Sequence, residues 1–253
     1  LSTKMTKREL QSPDKFTTTT TSWLDWATKH PRETAIAGVV LAALLVAVGL
    51  IAGGGPSTDP KAGAALAAAL ELADRKVEKT PAEGSKEKTF ASEDEKQKAI
   101  ADAMQAVRKE HRGTTSALTA TLGEADARMA LGDHAAALPL YDEYLANAPK
   151  STSTRFLAYE GKAAALKAKG DVEGAMAAFD AMAAESAALK DRAALGKARL
   201  LEATGSWQKA REAYEALKKE FPDSPAARTA TERIAAIDFR HPAKAATADG
   251  EAK

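Results

Sequence analysis

The side chains that could do chemistry are few and scattered. Four histidines, His30, His111, His134 and His241, fall one to a segment. None has the HxxxH or HExxH spacing that would put two imidazoles on one helical face around a metal. Cysteine is absent, which excludes disulfides, thiolate metal sites and a cysteine nucleophile from this sequence. A cysteine-free chain suits a reduced or an oxidising compartment equally. No phosphate-cradling GxxxxGKS/T or GxGxxG occurs, and no GxSxG nucleophile elbow. The acidic run Glu93-Asp94-Glu95 sits at a helix start, where carboxylates complement the positive end of the helix dipole. No catalytic, cofactor-binding or metal-binding residue is nominated, and the chain is not expected to be an enzyme.

Binding is then the expectation, and composition says how the binding surface is built. The chain has 253 residues, with 36 basic and 35 acidic side chains and a net charge of +1. Such a balance gives no basic face for nucleic acid. Aromatics make up 5% and alanine is abundant, which predicts an all-α chain. Alanine cores are thin, so many small contacts along stacked helices suit this composition better than one globular centre.

Residues 1–34 are polar, carry Lys4, Lys7, Arg8, Lys15, Lys29 and Arg32, and end near Trp23 and Trp26. They read as a cytoplasmic arm whose tryptophans favour a membrane interface. Ala35 to Ala52 then gives eighteen residues without a charge. As a helix they span about 27 Å, close to the hydrocarbon thickness of a bilayer. With Gly53-Gly54-Gly55-Pro56 as its end, a single transmembrane helix is expected over 35–55. Six Lys/Arg precede it and only Lys61 follows within twenty residues. That asymmetry places the N-terminus in the cytoplasm and the remainder outside. A cleaved signal peptide is the rival reading, disfavoured by an N-region over thirty residues long. Gly49 and Gly53 form a GxxxG pair, through which two spans could pack as a homodimer.

Residues 56–91 read as a linker with a first soluble helix over Lys61–Lys79 and a loop over Thr80–Ala91. Ser92 and Glu95 have capping-box spacing, so a helix is expected from Glu93 to Arg112. From here to residue 238 the chain aligns on itself. Met104, Tyr141, Phe179 and Tyr214 share one slot, at steps of 37, 38 and 35 residues. Gly132-Asp133, Gly170-Asp171 and Gly205-Ser206 punctuate paired helical stretches: the glycine ends one helix, and Asp or Ser caps the next. Ala137, Ala175 and Ala210 precede the large residue by four, small enough to let two helices touch. Pro149 and Pro222 close two units; Ala187 stands where the third would have proline. A last helix, Ala226 to Asp238, covers the end, and 239–253 read as a disordered tail.

This order of small residue, large residue and proline resembles the tetratricopeptide repeat (TPR), whose period is about 34 residues. The resemblance implies an α-solenoid of three to four helix pairs behind the single span. One span, then Phe90-Ala91-Ser92-x-x-x-Lys96, then loose repeats ending Phe221-Pro222-Asp223-Ser224, is similar to the ancillary SecYEG translocon subunit family. That likeness implies an inner-membrane protein with a periplasmic TPR domain, acting as an accessory or chaperone-like factor at the translocon. The closing stretch also resembles TPR domains of the Tol–Pal cell-division coordinator and of outer-membrane assembly lipoproteins. The alternative is therefore an assembly scaffold for another envelope complex, of the outer membrane or a motility apparatus.

In such arrays the first helix of each pair lines the concave groove. Carried over slot by slot, this nominates Leu122, Asp126 and Met129 in one unit, and Leu157, Glu160, Ala164 and Lys167 in the next. Arg192, Leu195, Arg199 and Glu202 follow in the last. The partners implied are other proteins, with the bilayer at Ala35–Ala52 and no nucleic acid. Leu122, Asp126 and Glu160 occupy slots where a carboxylate clamp would carry Lys or Asn, which disfavours a receptor for C-terminal carboxylates.

Overall fold

A computed structural model of the chain describes residues 59–78 and 89–242, all within one unit, Gly53–Lys253. Among them run nine α-helices: α1 (Pro60–Asp74), α2 (Glu93–Glu110), α3 (Thr115–Ala130), α4 (His134–Asn147), α5 (Arg155–Ala168), α6 (Val172–Glu185), α7 (Lys190–Ala203), α8 (Trp207–Glu220) and α9 (Pro225–Arg240). A 3-10 turn, Ala187–Leu189, precedes α7. The arm 1–34, the apolar segment Ala35–Ala52 with its Gly49/Gly53 pair, and residues 243–253 lie outside the described residues. Among the described residues, no helix is long and apolar enough to cross a membrane.

Three glycines turn each first helix into its second. Gly132, Gly170 and Gly205 have φ of +76°, +83° and +77°, a region that a Cβ disfavours. At the end of α3 the Gly132 N–H donates to Met129 O (3.0 Å) and the Asp133 N–H to Arg128 O (2.9 Å). This is the Schellman pattern, and it satisfies carbonyls that the helix end leaves without partners. The same pair of bonds recurs at Gly170-Asp171 and Gly205-Ser206. Asp133 and Asp171 then cap the following helix, accepting from the N–H of Ala136 (3.1 Å) and Gly174 (2.8 Å). Ser206 departs from its expected role, because its side chain makes no cap bond. Its backbone carbonyl starts α8 instead, accepting from the Ala210 N–H at 2.8 Å.

Each helix packs on the one before it, from α1 to α9. First helices also touch across units, α1 on α3, α3 on α5 and α7 on α9, while α4, α6 and α8 make no comparable contact with one another. Apart from the α5–α7 step, the first helices thus lie closer to one another than the second helices do, and we take them as the inner wall of the stack. Ala137, Ala175 and Ala210 are completely buried. Met104, Tyr141, Phe179 and Tyr214 are buried as well, each within the apolar core of its own unit. On α9, Ile237 is buried and Ile234 packs beside it on the α7–α8 core, where Tyr214 and Leu217 lie.

Some boundaries differ from those expected. α1 stops at Asp74 rather than Lys79, because Arg75 turns extended (φ −69°, ψ 139°). The chain then pairs briefly with Phe90: the Glu78 N–H donates to Phe90 O (2.8 Å) and the Phe90 N–H to Lys76 O (3.0 Å). α2 ends at Glu110 rather than Arg112, in a turn that closes at Gly113 with φ +79°. At its start Ser92 Oγ accepts from the Glu95 N–H (3.1 Å), but Glu95 reaches back to the N–H of Ala91 (2.8 Å), one residue before the usual partner. Where the third unit lacks proline, the 3-10 turn capped by Ser186 redirects the chain. α9 continues past Asp238 to Arg240.

Candidate protein-binding groove

On α3, Leu122, Asp126 and Met129 follow one stripe, at helical spacing. The structure corrects the first of them: Leu122 is only 8% exposed and belongs to the core shared with Tyr141 and Tyr144. Its neighbours α4 and α5 close over it, so it supports the wall rather than facing a partner. Met129 on α3, Leu157 on α5 and Leu195 on α7 are half-buried against the same or the neighbouring core, each leaving an apolar edge open.

The polar residues of α5 and α7 form a rung between neighbouring first helices. Arg192 grips Glu160 with two bonds, Nε to Oε1 (2.7 Å) and Nη2 to Oε2 (3.0 Å). Its guanidinium also lies 3.8 Å from the centre of the Phe156 ring. Fork geometry and the aromatic face together hold the charge in one orientation. A second rung joins α7 to α9, where Arg233 pairs with Glu202 and the Tyr214 hydroxyl donates to Glu202 Oε2 (2.8 Å). Glu202 is another correction, since it is buried beneath α9 and not free in the groove. Burial would raise its pKa, but Arg233 and Tyr214 outweigh that and hold it below the usual carboxylate range. Ala164, Lys167 and Arg199 are exposed, and neither cation has an ion-pair partner among the described residues.

Asp126 stands apart. Tyr141 donates to its Oδ1 at 2.6 Å, and no cation contributes to its environment. Burial pushes its pKa up to about 6, with the tyrosine bond opposing the rise. Burial, reinforced by the charge and hydrogen bond of Asp126, drives the Tyr141 phenol well above its ordinary value.

The seams between units hold a device that the sequence reading did not single out. Gly123, Gly161 and Gly196 lie mid-helix on α3, α5 and α7, and each faces the large residue of the preceding second helix. A Cβ at these positions would stand 3.1 Å from Met104 Sδ, 2.3 Å from Tyr141 Cζ and 2.2 Å from Phe179 Cε1 respectively. Beside each seat is a polar pair one residue on: Gln105 to Glu124 (3.1 Å), Lys162 to Asp142 (2.6 Å) and Lys197 to Asp180 (2.6 Å). The glycines recur at steps of 38 and 35 residues, the same steps that separate Tyr141, Phe179 and Tyr214. That coincidence was the available signal. A buried cluster is also new: Arg155 on α5 pairs with Glu185, donates to the Leu145 and Ala148 carbonyls (2.7 Å each), and so closes the end of α4. Tyr159 donates to Glu185 Oε2 at 2.6 Å.

On the other side, α2, α3 and α4 frame an open hollow of about 450 Å³ lined by Arg108, Arg128, Glu124 and Glu143. Its charges cancel internally, Arg108 bridging Glu124 (2.8 Å) and Glu143 (3.2 Å). Among the described residues, no three His, Asp or Glu side chains converge as a metal site would need.

A succession of packed helix pairs with small–large–glycine seams defines a helical-repeat scaffold, a class whose members generally present surfaces to other proteins rather than catalyse. Residues 166–234, from the end of α5 into α9, match the tetratricopeptide-repeat family model, and this supports a TPR protein. No curated protein matches the chain.

Proposed function

We propose that the chain is a membrane-anchored TPR module whose first-helix wall receives another protein, on the far side of a bacterial inner membrane from its N-terminus. The repeats indicate a protein–protein interaction module. The observation that carries the rest of the reading is the pair of free cations, Lys167 and Arg199, beside oriented rungs and apolar edges on one wall. The fork of Arg192 on Glu160 and its stacking on Phe156 fix the wall that these cations stand on. The anchor rests on the uncharged stretch Ala35–Ala52 and its one-sided basic flank. The accessory role at the Sec translocon rests on the likeness of the span, the Phe90-Ala91-Ser92 helix start and the Phe-Pro-x-Ser ending to that subunit family.

Affinity capture of the full chain from detergent-solubilised membranes tests this. Translocon subunits should co-isolate, and the double variant Lys167→Glu/Arg199→Glu should lose them. Capture of outer-membrane assembly or motility components instead favours the scaffold alternative. Full recovery in the soluble fraction after cell breakage contradicts the anchor.

A further inference from the structure

Among the described residues, Glu124, Glu185, Glu202 and Asp126 are largely withdrawn from water, and the three glutamates each have an arginine. Glu124 holds Arg108, with Arg128 at 3.8 Å; Glu185 holds Arg155; Glu202 holds Arg233. Asp126 has only the Tyr141 hydroxyl. Lys167 on α5 is free among the described residues but makes no ion pair with Asp126, and the other cations named on the facing helices are engaged elsewhere. On α2, Arg108 is held by Glu124 and Glu143, and Lys109 donates to Gln105. On α3 itself, Arg128 leans to Glu124. On α5, Arg155 is held by Glu185 and Lys162 by Asp142, while Glu160 is held by Arg192 of α7. Tyr144 on α4 also feels Asp126, and its hydroxyl is tied to Thr154 at 2.5 Å.

The second oxygen, Oδ2, makes no bond within the protein, yet it is not sealed: the one fully enclosed polar side-chain atom without a partner is His134 Nδ1, among the described residues. Asp126 thus holds an oriented, uncompensated acceptor on α3, the helix that also carries the half-buried Met129; Leu157 of the next first helix packs against the same core as Met129. An ionised group that lowers stability and has no internal partner fits a site completed from outside.

We propose that Asp126 is the anchoring point for a cationic side chain, lysine or arginine, of the protein bound in the groove, with apolar residues on either side of that cation meeting Met129 and Leu157. The inference rests on the groove reading above. A guanidinium or ammonium bound at Oδ2 would take the place that an internal arginine takes at Glu185 and Glu202. Binding then requires the ionised carboxylate, so it strengthens as pH rises through about 6.

The test uses the full chain in detergent at low salt and fluorescein-labelled peptides Gly-Ser-Leu-X-Leu-Ser-Gly, with X arginine, lysine, norleucine or glutamate. Anisotropy should show arginine and lysine peptides binding at least tenfold tighter than norleucine at pH 7.5. The ratio should fall towards one at pH 5, and Asp126→Asn should abolish it while Tyr141 keeps an acceptor. Equal binding of all four peptides, an unchanged preference in Asp126→Asn, or no binding at all overturns the proposal. If binding of every peptide persists in Lys167→Glu/Arg199→Glu without preference for X, the groove reading fails too. If that double variant removes binding and Asp126→Asn changes nothing, only the cation anchor fails.

Discussion

The ring of Tyr141 occupies the space a side chain at residue 161 would need: a Cβ on Gly161 would lie 2.3 Å from ring Cζ and 2.5 Å from the phenol oxygen. Mid-helix glycine ordinarily weakens a helix by roughly 1 kcal/mol relative to alanine. Here the missing Cβ lets a second helix seat its aromatic against the next unit, so the penalty is offset by packing across the seam. Gly161→Ala and Gly196→Ala should therefore destabilise, by a net of about 1–2 kcal/mol once overpacking outweighs propensity. Gly63→Ala on α1, with nothing within 4 Å, should instead stabilise by about 0.5–1 kcal/mol. Urea unfolding followed by circular dichroism separates the two signs; stabilisation by all three would mean the seats are loose.

Asp126 sets an unusual pH response. Its folded pKa, about 6, lies above the ordinary 3.8, so the folded state keeps a proton that the unfolded chain has lost. Stability contributed by this group is present below pH 4 and falls as pH rises to 6. Asp126→Asn should remove the fall and gain on the order of 2–3 kcal/mol at pH 7.5, with the two curves converging in acid. Parallel stability curves for the two proteins between pH 4 and 7 would contradict the buried, uncompensated carboxylate.

Glu185 behaves in the opposite sense. Its bond to Arg155 holds its pKa below the usual carboxylate range, so its contribution is present at neutral pH and lost as pH falls through the lowered value. Both side chains are only 6% exposed. Glu185→Gln strands Arg155 under the end of α4 and should cost about 3–5 kcal/mol at pH 7. Thermal melts at pH 7 and pH 3 check this: the gap between variant and parent should narrow in acid.

The alanine and tyrosine slots give a sharper check on register. Ala210→Leu should overpack the α7–α8 contact by about 1–3 kcal/mol. Tyr214→Ala should cost about 3–5 kcal/mol, since the ring is completely buried. Melting at the parent temperature for both would mean that the paired helices do not meet there.

The helix pairs were legible in the sequence because backbone geometry leaves residue-type marks: glycine at each positive φ, alanine at the buried slot, a large side chain four residues on. The seams were harder, because Gly123, Gly161 and Gly196 sit inside helices where glycine carries no turn. Only their matching steps reveal them. The groove was legible as a face but not residue by residue. Leu122 and Glu202 fall on the expected stripe, yet α4, α5 and α9 close over them. A charged residue on a helix stripe reads the same in sequence whether it meets water or a neighbour's arginine, so the partners of Glu160, Glu185 and Glu202 emerged only from the packing.

Site-specific photocrosslinking in living cells tests the central claim most directly. A photoreactive residue would replace Lys167 or Arg199 on the first-helix wall, or Glu173 or Glu212 on the exposed side of the second helices α6 and α8. Discrete crosslinked partners should form from Lys167 and Arg199 and be absent or several-fold weaker from Glu173 and Glu212. Equal yields from both sets, or adducts from the second helices alone, would contradict a partner held in the groove.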